Sequence, residues 1–150
     1  MKGDVIISVP TGERGESPAQ FIATADEIEI YTIQRCAKFP QEYREYILKD
    51  IAHLATEASS HVNQGNEIYP SKPKSGDMTH YISDVSRRRT HFRQALEMYK
   101  DLGKKVNKLY KIKKPNRKHR KQRKKWTGLI HEEIKLLKGV LESDQKRYRL

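Results

Sequence analysis

The chain is expected to be all-α, an antiparallel four-helix bundle, and three observations carry that expectation. Apolar residues recur every three to four positions in four separate stretches, proline- and glycine-containing punctuation falls between the stretches, and no segment alternates strongly enough at period two to compete. The best strand candidate, Val5-Ile-Ile-Ser-Val9, is short and ends at Pro10, so it reads as an arm or a sheet edge. Two regions result: an N-terminal arm over residues 1–16, punctuated by Gly and Pro, and a bundle over residues 17–150.

Each helix has its own signals. Ser17-Pro18 reads as an N-cap followed by proline at the first helical position. Phe21, Ala25, Ile28, Tyr31 or Thr32, and Cys36 then mark one face until Phe39-Pro40 interrupts it. A second helix is expected over residues 41–69, with Tyr43, Ile47, Ile51, Leu54, Ala58, Val62, Gly65 and Tyr69 as its stripe, rich in small residues toward the end. Pro70-Ser-Lys-Pro-Lys-Ser-Gly76 is a turn, and Asp77 is placed to cap a third helix. Met78, Ile82, Val85, Phe92, Leu96, Tyr99, Leu102 or Gly103, Val106 and Tyr110 give that helix a length of about 50 Å. Helix four is secure from Trp126, with Leu129 or Ile130, Ile134, Leu137, Leu141 and Tyr148 on one face; residues 118–125 are an optional early start.

Charge is distributed far less evenly than apolarity. Between Asp101 and Glu132 there is no acidic residue, yet the interval holds Lys104, Lys105, Lys108, Lys111, Lys113, Lys114, Arg117, Lys118, Arg120, Lys121, Arg123, Lys124 and Lys125. Those are 13 of 31 basic residues, leaving 18 against 19 acidic ones, so the whole formal charge of +12 resides there. Cations without local counter-charge attract a polyanion, because each phosphate contact releases condensed counterions. Nucleic acid is therefore the first partner to expect, with a solvated loop as the plain alternative. A membrane surface is a poorer fit, since residues 113–125 contain no apolar residue besides Pro115.

Other classes are narrowed by size and composition. The chain's 150 residues suit one domain able to bury a core, and its 33% charged content fits long helices with one wet face or an oligomer. No apolar run approaches the roughly 20 residues of a membrane span, and the N-terminus lacks a signal-peptide core. A cytoplasmic location is the expectation. Cys36 alone excludes an internal disulfide and cysteine-based zinc sites.

Individual residues separate binding from catalysis. Arg87, Arg88, Arg89 and Arg93 cannot all face one way, because successive residues differ by roughly 100°; at least one must approach the seam. They form a secondary candidate site, either for phosphate or for acidic partners on another helix. Trp126 follows the basic run, where an aromatic can stack bases, but its place in the helix-four stripe favours packing. The tyrosines at 43, 69, 81, 99, 110 and 148 mostly fall on apolar stripes, and Asn63 and Asn66 suit a helix end. Asp50-x-x-His53 and Glu57-x-x-x-His61 have helical spacing, but a bundle metal site needs matching ligands on a facing helix. His131-Glu132-Glu133-Ile134-Lys135 fails the zinc-protease pattern, and no phosphate loop or nucleophile elbow is present. Neither a catalytic residue, a metal nor a cofactor is expected.

Several landmarks also occur in a fixed order: Val9-Pro10 and Arg14-Gly-Glu-Ser17, Phe39-Pro40-x-x-Tyr43, Asn63-x-x-Asn66-x-Ile68-Tyr69, Arg87-Arg88-Arg89, Trp126-x-x-Leu129-Ile130, and Ser143-Asp-x-x-Arg147-Tyr148. Together they span nearly the whole chain and resemble the accessory variability determinant family. Its members are small four-helix-bundle proteins encoded beside reverse transcriptases in prophage and bacterial diversity-generating retroelements. The resemblance implies a homo-oligomer, a pentameric barrel with a positive surface. It also implies binding to the partner reverse transcriptase and its structured template RNA, or a cDNA hybrid, in support of mutagenic cDNA synthesis, without catalysis by this chain. The basic connector over residues 111–125 departs from the family pattern and extends the expected RNA surface. A second reading is a structural four-helix protein of the ribosomal intervening-sequence type that acts through a protein partner.

Overall fold

A computed structural model describes residues 18–112 and 116–149, and all regular structure among them is helical. The order is α1 (Pro18–Lys38), a 3-10 turn (Gln41–Tyr43), a π-helical turn (Arg44–Leu48), α2 (Lys49–Asn66), α3 (Thr79–Ile112) and α4 (Arg117–Arg147). The N-terminal arm with Val9-Pro10 and Arg14–Ser17, together with Lys113, Lys114 and Pro115, lies outside the described residues.

Four helices form because each has one face to hide. Phe21, Ala25, Ile28 and Thr32 of α1 are buried, and the helix stops where Pro40 denies Phe39 a helical backbone. Regular helix was expected from Gln41, but the chain first tightens into the 3-10 turn and then widens into the π turn. Ile47 and Leu48 at the end of the π turn are both buried, and the buried face then passes directly into α2. Ile51, Ala55, Ala58, Val62 and Gly65 continue the buried face along α2. Asp77 caps α3 as expected: its Oδ1 accepts from the Thr79 hydroxyl at 2.5 Å and from the Thr79 backbone N–H at 2.9 Å, and these two bonds hold its carboxyl below the ordinary range.

Paired residues fix the helix directions. Asp50 at the start of α2 meets Lys105 near the end of α3, Arg88 near the start of α3 meets Asp144 near the end of α4, and Tyr31 late in α1 meets Trp126 early in α4. Successive helices are therefore antiparallel. α1 packs on α2 and α4, and α3 packs on α2 and α4, which closes the bundle.

The core is densest where aromatic rings bridge helices. Phe21 meets Phe92 edge-on at 5.5 Å, while Tyr110 contacts Phe39 at 5.6 Å and Trp126 at 6.3 Å. Trp126 is fully buried, and its indole N–H donates to Thr32 Oγ1 at 3.0 Å, so it packs rather than stacks on bases. The small residues of α2 let α3 approach: a Cβ on Gly65 would lie 2.5 Å from the Phe92 ring.

Three expected positions shift by one residue. Ile68 is buried and Tyr69 is 71% exposed, because α2 ends at Asn66 and the chain leaves the helical phase. Tyr81 takes the inward place expected of Ile82, and Glu133 lies fully buried among Trp126, Ile130 and Leu137.

Candidate nucleic-acid interface

The basic run is largely helical. α3 continues through Ile112, and α4 begins at Arg117, about two and a half turns before Trp126. Asn116 caps it, its side-chain oxygen accepting from the His119 backbone N–H at 2.9 Å. His119 then anchors this first turn to the core, its ring lying 6.5 Å from Phe39 and 6.2 Å from Tyr110. The lysines and arginines that follow are thus carried on an ordered element rather than on a long connector.

Helical geometry sorts these cations into rows. At 100° per residue, Arg89, Arg93, Lys100, Lys104 and Lys111 of α3 share an arc of about 60° and extend over about 33 Å. On α4, Arg117, Arg120, Lys124, His131, Lys135, Lys138 and Glu142 share a similar arc of about 60°. Arg89 and Glu142 line one shallow groove of about 580 Å³ together with Gln145, Lys146, Tyr148 and Arg149, so the two rows face each other across the α3–α4 seam. The opposite flank of α3 faces α2, since Lys105 reaches Asp50 at 3.5 Å and His91 reaches His61. A cationic track therefore runs along one side of the bundle, interrupted by Glu97 and Glu142.

The opposite layer carries the other sign. Between Pro18 and Asn66 there are seven acidic and four basic residues, whereas α3 and α4 together hold 20 basic and seven acidic ones. Among the described residues, Arg93, Lys104, Lys111, Arg120, Lys124 and Lys138 enter no salt bridge. Lys100 of the α3 row is restrained only by a weak, exposed pair with Glu97 at 3.2 Å.

The expected site residues separate accordingly. Arg89, Arg93, Lys104, Lys111, Arg117, Arg120 and Lys124 come together on the track, and Lys108 points outward beside it. Lys118, Lys121 and Lys125 lie on the α1 side of α4, where Lys125 Nζ sits 4.9 Å over the Tyr31 ring. Arg123 is exposed at the same end, and Arg87 pairs with Asp84 on the α2 side of α3. Arg88 is the arginine that occupies the seam, and burial removes it from the candidate phosphate contacts. Its Nε donates to Asp144 Oδ2 at 2.6 Å, and Nη1 donates to the carbonyls of Ile68 at 3.0 Å and Gly65 at 3.4 Å. Lys100, Lys135, Lys138, Lys146 and Arg149 were missed as candidates. They lie outside the acid-free interval; helical phase with Arg93 and Lys124 signals the four on helices, and Arg149, just past the end of α4, carries no such signal.

Few groups are tuned for chemistry. Burial pushes the Cys36 thiol up to about 11, so it stays protonated at neutral pH. Burial, with Glu132 adding to it, pushes Glu133 up to about 9, and neither of its carboxyl oxygens has a hydrogen-bond partner. Tyr99, raised by burial and by the nearby Glu133 and Glu29, also has an unpartnered hydroxyl. Among the described residues no helix is long and apolar enough to cross a membrane. No protein-family model, curated protein or solved structure matches the chain.

Proposed function

We propose that this chain is a non-enzymatic RNA-binding accessory subunit of a reverse transcriptase, of the kind found in diversity-generating retroelements. The observation that carries the reading is the α3–α4 track: two facing rows of cations, several without partners, on one layer of a bundle whose other layer is acidic. Such a face gathers phosphates through counterion release and steers a polyanion to one side of the molecule. The start of α4 adds to this attraction. Arg117, Lys118 and Arg120 sit at the positive end of the helix dipole, where like charges repel and a phosphate is favoured. Contacts of this type read backbone rather than bases, so the template RNA's identity would come from the reverse transcriptase or from RNA shape.

Self-association belongs to the same proposal. Ile30, Ile33 and Tyr46 remain 49%, 52% and 83% exposed, and a neighbouring copy in a homo-oligomer, a pentamer in the family it resembles, would cover them. Ile68, apolar and off the α2 stripe in sequence, adds nothing to that surface because the bundle buries it. A cytoplasmic site of action follows from the proposed partners.

The deciding experiment is copurification of the chain with a reverse transcriptase encoded beside it, with the bound RNA recovered and sequenced. A defined RNA in the complex supports the reading. A protein partner without RNA would favour the intervening-sequence type of structural bundle instead. Replacing Lys118, Arg120, Lys121 and Arg123 by Gln should lower the log-affinity against log-salt slope by about 0.7 if single-stranded backbone follows the track, which holds Arg120 alone of the four, and by up to about 3 if all four touch it. Helicity should stay unchanged, because all four are exposed.

A further inference from the structure

The histidine of the helix-two pattern Glu57-x-x-x-His61 required a ligand on a facing helix, and the fold supplies one. His61 of α2 and His91 of α3 bring their Nδ1 atoms to 2.9 Å across the helix interface, with ring centroids 5.2 Å apart and planes inclined by 35°. Both rings are half-buried, held by the helices yet reachable from solvent. We propose that His61 and His91 form a two-histidine site for a divalent transition-metal ion, with Cu²⁺ the best fit.

The argument begins with the separation. Two imidazole nitrogens bound to one ion at about 2.0 Å lie about 2.8 Å apart at a right angle and about 3.3 Å apart at the tetrahedral angle. The observed spacing matches the right angle, which is the cis geometry of a tetragonal Cu²⁺ or Ni²⁺ site; Cu²⁺ binds more tightly in the general order of divalent ions. Without metal, one Nδ1 must donate its proton to the other. In the bound form both rings carry their proton on Nε2, which frees both Nδ1 lone pairs, and each ring turns from the hydrogen-bond line toward the ion. The change is a tautomeric exchange with water and leaves the charge of the pair unaltered.

The surroundings permit this. Arg87, one turn before His91, is a cation that opposes a bound ion, and it is paired with Asp84 at 3.1 Å. Among the described residues no group of three or more histidine, cysteine or carboxylate ligands gathers. Water must therefore complete the coordination, and the ion should exchange rather than remain permanently. The site faces the α2 side of α3, away from the cationic track, and stands independently of the RNA reading.

The test uses untagged, metal-stripped full-length protein titrated with Cu²⁺, followed by calorimetry and electron paramagnetic resonance. One Cu²⁺ per chain is expected, with nitrogen couplings from two imidazoles. His61→Ala and His91→Ala should each weaken binding at least tenfold and remove one of the two nitrogens. His53→Ala, altering an exposed histidine on the same helix, should change neither readout. Circular dichroism on each variant confirms the bundle, and His91→Gln provides a milder replacement if His91→Ala fails to fold. Cu²⁺ bound equally well by a folded His61→Ala/His91→Gln double variant, or no Cu²⁺ bound by the wild-type protein at 100-micromolar concentration (about 10⁻⁴ M), would overturn the proposal and leave the pair as an interhelical hydrogen bond.

Discussion

Arg88 and Asp144 form a fork that ties three helices together at the end of the bundle remote from the lysine-rich one. Nε and Nη2 of Arg88 donate to the two carboxylate oxygens at 2.6 and 3.2 Å, while Nη1 satisfies carbonyls at the end of α2. The guanidinium also lies 4.9 Å from the Phe92 ring centre and 5.5 Å from that of Tyr148. Both partners are nearly buried, so neither is well hydrated once the other is gone.

Removing one partner should therefore be costly. Arg88→Ala is expected to destabilise the fold by about 3–5 kcal/mol, the usual range when a buried pair is broken. Arg88→Lys should recover only part of this, because an ammonium cannot make the planar fork and reach the carbonyls together. Urea denaturation of the three proteins measures it. Equal stability of Arg88→Ala and wild type would remove the fork from any account of the fold.

Gly65 and Phe92 set how closely α2 and α3 pack. An added Cβ would meet three ring atoms at 2.5–3.0 Å, and a fully buried ring has little room to withdraw. Gly65→Ala should cost about 1–3 kcal/mol despite the better helix propensity of alanine, because overpacking outweighs a gain of about 1 kcal/mol. A thermal melt that rises on this replacement would contradict the packing argument.

Glu133 is the clearest violation of the hydrophobic stripe, and it has two measurable consequences. Glu133→Met preserves volume and removes an unpartnered buried carboxyl, so it should stabilise the bundle by about 1–3 kcal/mol. The sign of the pH effect follows from the raised value of about 9 against an ordinary 4.5. Between those limits the folded protein keeps a proton that the unfolded chain has released, so stability falls as pH rises from about 4.5 and levels off above about 9. The slope from this group is at most about 1.4 kcal/mol per pH unit, and it should vanish in Glu133→Met. Denaturant midpoints at several pH values compare the two proteins.

The sequence made some of this legible and hid the rest for physical reasons. The four helices, the Asp77 cap and the core place of Trp126 were visible because period, caps and punctuation are local. The π turn was hidden, since no proline, glycine or cap within Arg44–Leu48 marks a change from the α-helical period. Arg88 was foreseen only as one of four arginines of which at least one had to approach the seam; its choice depends on Asp144, 56 residues away. The cationic track was partly visible as an acid-free interval. Lys135 and Lys138 escaped that criterion because Glu132 and Glu133 lie beside them in sequence, although Glu133 is turned into the core.

The track makes one prediction that separates local contact from overall charge. Replacing Arg93, Lys104 and Lys138 by Gln removes three positive charges from the facing rows. Replacing Lys38, Arg44 and Lys49 by Gln removes the same charge from the acidic layer, at exposed positions of α1, the π turn and α2. If phosphates bind along α3–α4, the first triple should reduce the log-affinity against log-salt slope by about 2.7 with a duplex or about 2.1 with a single strand, at roughly 0.9 or 0.7 per contact. The second triple should leave the slope nearly unchanged and lower affinity only through the weaker long-range field, an effect that salt screens over roughly 10 Å at 0.1 M. Fluorescence anisotropy of a labelled RNA between 50 and 200 mM salt, conditions in which such slopes are steep, gives both values. Equal losses from the two triples would mean that net charge alone draws the polyanion and that the facing rows have no special role.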